Sequence, residues 1–541
     1  MKTSRLTMLL LSGILASCGV HREEVSRPRI AVGIVVDQMR WDYLYRYYEH
    51  YGHSGFKRLM RDGYNCQQAT INYLPAYTAP GHTCVYTGSV PSIHGIAGNE
   101  WVDRNTGEKV YCTDDASVKL TEDGKPMSPA NLLVTTVTDE LRLATNFESR
   151  VYGVAIKDRA SILPSGHLAN AAYWYNEQTG HFVSSSYYSN PSPAWLQSFN
   201  NRNVADSLLG NGWYLLQNEE AYTESTADST PYEGAFPWEK EPVFPHRYDT
   251  VTGPRRNAIV KTTPAGNTLS IMMAKACIEG EMLGKGAATD FLTLSLSATD
   301  YIGHRFAPNS VEMEDTYLRL DRDIADFLLY LDKRYGRNGY LVFLTADHGG
   351  AHNAQFLTDH NVPAGMEPAG TISGINEYLQ QIFGLENIVT FTDNYQVCLD
   401  EALIARSGKD RAAIRQTIIN WLEQQPAVAY TLDMENLWSN TVPEPIKTMA
   451  VNGYNKNRSG SIQIIPAAGW YGGNGHKTGT THGTWNPYDT HIPLIWFGWN
   501  IKRGESNEQV HMTDIAPTVA SLLHIQMPNG CVGKPINVAL H

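Results

Sequence analysis

Cysteine is scarce in this sequence: there are seven in 541 residues and no two stand as Cys-x-x-Cys. That excludes a thiolate zinc site or a dithiol redox motif. Charge is sparse too, at 18% of residues, and the balance is acidic, with 43 Lys and Arg against 55 Asp and Glu for a formal −12. No basic surplus exists to follow a nucleic-acid backbone, so an anionic ligand would be drawn by a local positive centre such as a metal. After the first 16 residues no apolar run approaches the ~20 residues of a spanning helix. Internal repeats and low-complexity runs are also lacking. What is present, 42% apolar residues with Gly and Pro spread along the chain, suits a large α/β core with insertions.

The N-terminus reads as an export signal. Lys2 and Arg5 precede an apolar run, Leu6 to Ala16, that ends in Leu15-Ala16-Ser17-Cys18. This ending resembles a bacterial lipoprotein box, so residues 1–17 are expected to be removed and Cys18 lipidated. The mature chain from residue 18 is then expected in the periplasm, at the outer membrane or on the cell surface, as a monomer. Cys66, Cys84, Cys112, Cys277, Cys398 and Cys531 remain, and their spacing fixes no pairing.

Short runs rich in Val, Ile, Leu and Phe predict buried strands of a mostly parallel sheet at Ile30–Val36, Val151–Ile156, Phe291–Ser297, Tyr340–Thr345 and Ile492–Gly498. Helical spacing fits Val311–Arg334 and Asp410–Gln424. Alternating strands and helices predict an α/β fold, a central sheet flanked by helices on both faces. Two stretches break the pattern. Residues from about 174 to 254, crowded with Ser, Asn, Tyr, Trp and Pro, read as an irregular insertion, and those from about 360 to 453 read as a second, mainly helical one.

The chemistry lies just beyond the strands. Ile30–Val36 ends in Asp37, Phe291–Ser297 runs into Asp300 and His304, and Tyr340–Thr345 runs into Asp347-His348-Gly349-Gly350. Any single Asp in such a place is an ordinary turn former or cap. Three together, with imidazoles, predict a metal site, because ligands gather beyond the carboxyl ends of strands in open α/β sheets. His482, in the small-residue loop Gly479–Thr484, completes the set; His476 and His491 are competing neighbours. His82, His94, His352 and His360 are read as structural. Thr78, in Pro75-Ala76-Tyr77-Thr78-Ala79-Pro80-Gly81-His82-Thr83, has the grammar of a helix cap.

Asp37, the Thr78 loop, Asp300/His304, Asp347/His348 and Thr481-His482-Gly483 together resemble the alkaline phosphatase superfamily, and most closely its bacterial single-threonine, phosphate-irrepressible type. The likeness follows motif order through nearly all of the mature chain. It implies two Zn²⁺ ions: Asp37, Asp347 and His348 with the Thr78 oxygen hold one, and Asp300, His304 and His482 the other. It also implies that Thr78 attacks phosphorus and is transiently phosphorylated, with capping as a second role of the same side chain.

Substrate class turns on Lys157 and Arg159. Placed at i and i+2 of an extended segment they would face the same way, toward a monoester dianion. By the resemblance they occupy the phosphate-binding pair of the monoesterases, and Asn99 the family's phosphate-donating asparagine. Small-molecule phosphate monoesters are therefore the expected substrates. Diester hydrolysis of the nucleotide pyrophosphatase/phosphodiesterase type is the alternative, and a ligand-binding surface lipoprotein without catalysis the remote one. Sulfatases are excluded, since they need a Cys or Ser with Arg four residues on, where this chain has Thr78 and His82.

Overall fold

The computed structural model describes residues 26–540 apart from 123–124, 190, 368–370, 438–440 and 473–476. The expected leader, the expected lipidation site Cys18, and His476 lie outside the described residues. A ten-stranded sheet runs through the centre. Its strands are β1 (Ile30–Val36), β2 (Tyr64–Thr70), β3 (Val151–Ala155), β4 (Ala171–Asn176), β5 (His181–Val183), β6 (Asp290–Leu296), β7 (Tyr340–Thr345), β8 (His491–Ile492), β9 (Leu494–Gly498) and β10 (Gly504–His511). The spatial order is β8-β2-β9-β7-β1-β6-β3-β4-β5, with β10 alongside β2.

The middle five, β7-β1-β6-β3-β4, are parallel. Every residue of β1, β3, β6 and β7 is buried, as in a sheet covered on both faces. β9 is antiparallel to β7 and to β2. Two reversals leave β2 running the same way as β7, so its far end reaches the same edge as theirs. The expected strand Ile492–Gly498 is instead two, interrupted at Pro493, whose nitrogen has no hydrogen for the ladder.

Four helices matter for the site: α1 (Thr78–Thr87), α2 (Asp158–Ser165), α3 (Ala298–Phe306) and α4 (Val311–Tyr335). Ser310 caps α4 by accepting the Met313 N–H. All ten residues of α1 are buried, so this helix runs through the interior.

The segment expected to be mainly helical is mixed. A four-stranded sheet of Val389–Phe391, Gln396–Leu399, Ile462–Pro466 and Val428–Asp433 packs with the helices Thr371–Phe383 and Arg411–Leu422 around its own apolar cluster, which includes Ile375, Leu379, Val397, Ile414, Ile418 and Ile464. Its strands are three to six residues long, too short for a two-residue period to stand out, and Ile462–Pro466 is contributed from beyond residue 453. The region 174–254 holds β5, the short helices Ala194–Asn200 and Val204–Leu209, and a two-residue pairing of Gly212–Trp213 with His246–Arg247. Cys66, Cys84, Cys112, Cys277, Cys398 and Cys531 are all unbridged thiols.

Candidate active site

β1, β6 and β7 end side by side, and the segments leaving them converge. Asp37 leaves β1, Asp300 lies in the first turn of α3 after β6, and Asp347 and His348 come directly after β7; all four are buried. β3 delivers Lys157, and β2 leads through a short loop to Thr78. Lys157 Nζ donates to Asp300 Oδ2 at 2.6 Å and to Thr78 Oγ1 at 3.2 Å, and it lies 2.7 Å from Asp37 Oδ2.

Among the described residues two groups of side chains could hold a cation: Asp300 with His304 and His482, and Asp37 with Asp300 and His348. Asp300 belongs to both. Its Oδ1 lies 3.1 Å from His304 Nε2 and 3.5 Å from His482 Nε2. On the other side His348 Nε2 is 3.6 Å from Asp37 Oδ1, 3.4 Å from Asp347 Oδ2 and 3.4 Å from Thr78 Oγ1.

The three imidazoles share one arrangement. Nδ1 of His304 donates to the Thr480 carbonyl at 2.8 Å, that of His348 to the Gly349 carbonyl at 2.9 Å, and that of His482 to the Ala76 carbonyl at 2.8 Å. A carbonyl can only accept, so each ring carries a hydrogen on Nδ1 and turns Nε2 inward, as a lone pair on His348 and His482. At His304 burial is outweighed by Asp300, which favours the imidazolium in the absence of a metal. Burial holds His482 neutral, its pKa down at about 3, and also lowers that of His348. His304 stands at the rim with 36% of its side chain exposed.

The carboxylates ask for positive charge. Among the described residues Asp37 Oδ1 and Asp347 Oδ2 accept no hydrogen bond although both are sealed from water, and Asp37 Oδ2 has only its ion pair with Lys157. Burial first, then repulsion from Asp347, pushes the Asp37 carboxyl well above its usual range; burial likewise raises Asp347 to about 7. Burial would depress the Lys157 ammonium, yet Asp300 and Asp37 outweigh it and hold its pKa above the ordinary value. Asp300 is pulled well below its usual range because His304 and Lys157 overcome its burial. Orphaned anionic oxygens facing imidazole lone pairs make a donor set of N and O atoms that fits a divalent metal.

Thr78 is not a cap. Tyr77 occupies the N-cap position, no side chain there caps the helix, and the free Ala79 N–H is taken by Asn99 Oδ1 at 2.9 Å. The Thr78 hydroxyl is thereby left to Lys157 and His348. Among the described residues no hydrogen bond engages Asn99 Nδ2, which remains a donor for a ligand.

Lys157 is extended but Asp158 and Arg159 open α2, so the i, i+2 strand argument for this pair fails. A helix places Arg159 instead, with Nη1 donating to Tyr111 Oη at 3.0 Å. Its Nε is buried without a partner.

Two residues in contact with the site carry no sequence signal beyond their neighbours. Gln38, held at φ 61°, donates its N–H to Asp347 Oδ1 at 3.1 Å and its Nε2 to Asp300 Oδ1 at 2.6 Å. A non-glycine in this left-handed region is a costly conformation, here anchored by both carboxylates. His82, read as structural, lies one turn along α1 with Nδ1 donating to the Thr78 carbonyl at 3.0 Å and 3.2 Å from Asp347 Oδ2. His94, His352, His360 and His491 bond to Ile96, Asn309, Phe356 and Gln67 respectively, outside this cluster.

The sequence pattern of the family described as type I phosphodiesterase / nucleotide pyrophosphatase matches residues 31–489. Alkaline phosphatase PafA of Elizabethkingia meningoseptica is 49% identical over 535 residues, 98% of this chain and 97% of its own. A Myroides odoratus protein named calcium-transporting ATPase is 48% identical over 526 residues, 96% of each chain. Alkaline phosphatase PhoV of Synechococcus elongatus is 47% identical over 520 residues, 96% of this chain and 94% of its own. The crystal structure of PafA superposes with a TM-score of 0.92, covering 96% of this chain and all of that one. Among the described residues no helix is long and apolar enough to cross a membrane. On matches of this extent the chain belongs to the type I phosphodiesterase / nucleotide pyrophosphatase family, within the alkaline phosphatase superfamily and alongside the alkaline phosphatases PafA and PhoV.

Proposed function

We propose that the chain is a phosphate monoester hydrolase, acting outside the cytoplasm from a lipid anchor at Cys18, and that it works through a phosphothreonine at Thr78. The observation that carries this reading is the place of Thr78 Oγ1, buried at the start of an interior helix, 3.2 Å from Lys157 Nζ and 3.4 Å from His348 Nε2. A threonine hydroxyl is a feeble nucleophile near neutral pH. Two zinc ions, held by Asp37, Asp347 and His348 on one side and by His304 and His482 on the other, with Asp300 between, would activate the attacking oxygen and neutralise the leaving one.

The chain's own residues do the rest. Thr78 Oγ1 gives up its proton and forms a bond to phosphorus as the ester oxygen departs with its electron pair and takes up a proton. Water then cleaves the phosphothreonine, restoring the hydroxyl and releasing inorganic phosphate. The N-terminus of α1 turns its positive end toward the phosphoryl group. Asn99 Nδ2 donates to a nonbridging oxygen. Lys157 and Arg159 offset the second negative charge that distinguishes a monoester from a diester. The likeness to PafA and PhoV, both named alkaline phosphatases, supports the monoester reading.

Diester cleavage is the second reading, favoured by the description of the family whose pattern the chain matches. Turnover of matched aryl phosphate mono- and diesters separates the two. The monoester is expected to be much the better substrate. Arg159→Ala is expected to remove about 2 kcal/mol of monoester transition-state binding and far less from the diester. Preference for the diester, or equal losses on both, would overturn the monoester reading.

A further inference from the structure

Two ammonium groups share one aromatic ring beside the nucleophile. Lys157 Nζ lies 5.1 Å from the centroid of the Tyr301 ring, and Lys261 Nζ lies 5.1 Å from the same centroid. Tyr301 is the next residue after Asp300 in α3, and Lys261 belongs to the 3₁₀ turn Val260–Thr262. The surroundings of the two lysines differ. The Lys157 side chain is 1% exposed and its ammonium is committed to Asp37, Asp300 and Thr78. The Lys261 side chain is 25% exposed and pairs at 2.6 Å with Glu177 Oε1, from the turn between β4 and β5. The Tyr301 ring thus has a sealed cation and a partly exposed one at the same distance from its centroid.

A lysine ammonium is a compact charge on a flexible stem, and the three oxygens that hold that of Lys157 leave its ring contact as the one apolar support of the charged end. A third carboxylate beside Asp37 and Asp300 would add further negative charge where a phosphate must bind. The face of an aromatic ring attracts the ammonium without taking a hydrogen from it and without adding a net charge. Arg159 is near enough for its guanidinium, like Lys157 and Lys261, to counter the burial that raises the Tyr301 phenol.

We infer that Tyr301 is a positioning residue for the phosphate-binding ammonium of Lys157, and that the Lys261–Glu177 pair braces the Tyr301 ring from the solvent side. This rests on the monoester reading of the site. It ties phosphate affinity to Glu177 and Lys261, two residues that touch neither Thr78 nor any of the proposed metal ligands.

The test uses the metal-loaded, full-length enzyme with Tyr301→Phe, Tyr301→Leu and Lys261→Met. Three quantities are read: inhibition by inorganic phosphate, and kcat/KM for the matched aryl mono- and diester. Tyr301→Phe keeps the ring and is expected within about twofold of wild type throughout, whereas Tyr301→Leu is expected to lose about tenfold in phosphate affinity and in monoester kcat/KM, with the diester changed by less than about threefold. Lys261→Met, a change at a partly exposed position, is expected to weaken phosphate binding by about threefold and leave the diester unchanged. Combining Tyr301→Leu with Lys157→Ala is expected to be no worse than Lys157→Ala alone, because the ring acts through that lysine. Equal losses on both esters, or wild-type phosphate affinity in Tyr301→Leu, would overturn the assignment; should that variant not fold, wild-type phosphate affinity in Lys261→Met would do so. A wild-type enzyme that neither cleaves the monoester nor binds phosphate fails the monoester reading itself, whereas indifferent variants of an active wild type fail only this inference.

Discussion

Gly81 of α1 lies directly against the backbone of Asp347. A methyl group at Gly81 would fall inside contact distance of the Asp347 carbonyl oxygen and 2.8 Å from its Cβ. The helix that begins with Thr78 is thus seated on a residue of the candidate metal site, at a spacing only hydrogen permits. Gly81→Ala is expected to push the two apart, costing about 1–3 kcal/mol of stability. Turnover should fall as well, since small displacements of positioned groups are costly. Thermal unfolding and steady-state kinetics check both.

Thr78→Ala removes the attacking oxygen without touching the carboxylates or imidazoles. Turnover is expected to drop by about 10³-fold or more. Acid-quenched mass spectrometry should find phosphothreonine at position 78 in the wild type only, while metal content stays nearly level. Unchanged turnover would remove Thr78 from the mechanism.

Chelation is expected to abolish activity and Zn²⁺ to restore it, with elemental analysis giving two ions per chain. The melting temperature should fall on metal removal, because Asp37 and Asp347 then face each other with orphaned oxygens in a buried site. Activity or melting behaviour indifferent to exhaustive chelation would contradict the two-metal reading.

Glu435 anchors a charged seam between the body and the second insertion. Its carboxylate accepts hydrogen bonds from Arg104, Arg411 and Arg415. Hydrogen bonding by Arg411 first, opposed by burial and joined by Arg104, lowers its pKa to about 2. A folded value held below the ordinary 4.5 contributes stability above that pH, and the contribution is lost as pH falls toward about 2. Glu435→Gln is expected to melt about 1–2 °C lower at neutral pH and to flatten the acid limb of the melting curve, a modest effect because the network is partly exposed.

Much of the fold was legible because parallel strands buried on both faces must be apolar throughout. Ile30–Val36 and Tyr340–Thr345 could be bounded to the residue, and Asp37, Asp300 and Asp347 stood out as the first acids beyond such runs. Pro493 escaped notice as a strand break because Ile492–Gly498 remains apolar across it. The small sheet of the second insertion was hidden for a different reason: Ile462–Pro466 pairs with Gln396–Leu399 and Val428–Asp433 across tens of residues, and no local period reports such a pairing.

The sequence by itself determined which atoms are available: three acids at strand ends, imidazoles of metal-ligand type, and one threonine in a helix-starting loop. Only the tertiary structure decided how they divide the work. It gave the cap bond of α1 to Asn99 and freed Thr78, set Asp300 between two groups of ligands, and brought Gln38, His82 and Tyr301 to the same edge. The reason is physical: residue type and spacing fix a side chain's chemistry and its place on one element, whereas its partners come from other elements whose approach is settled by packing.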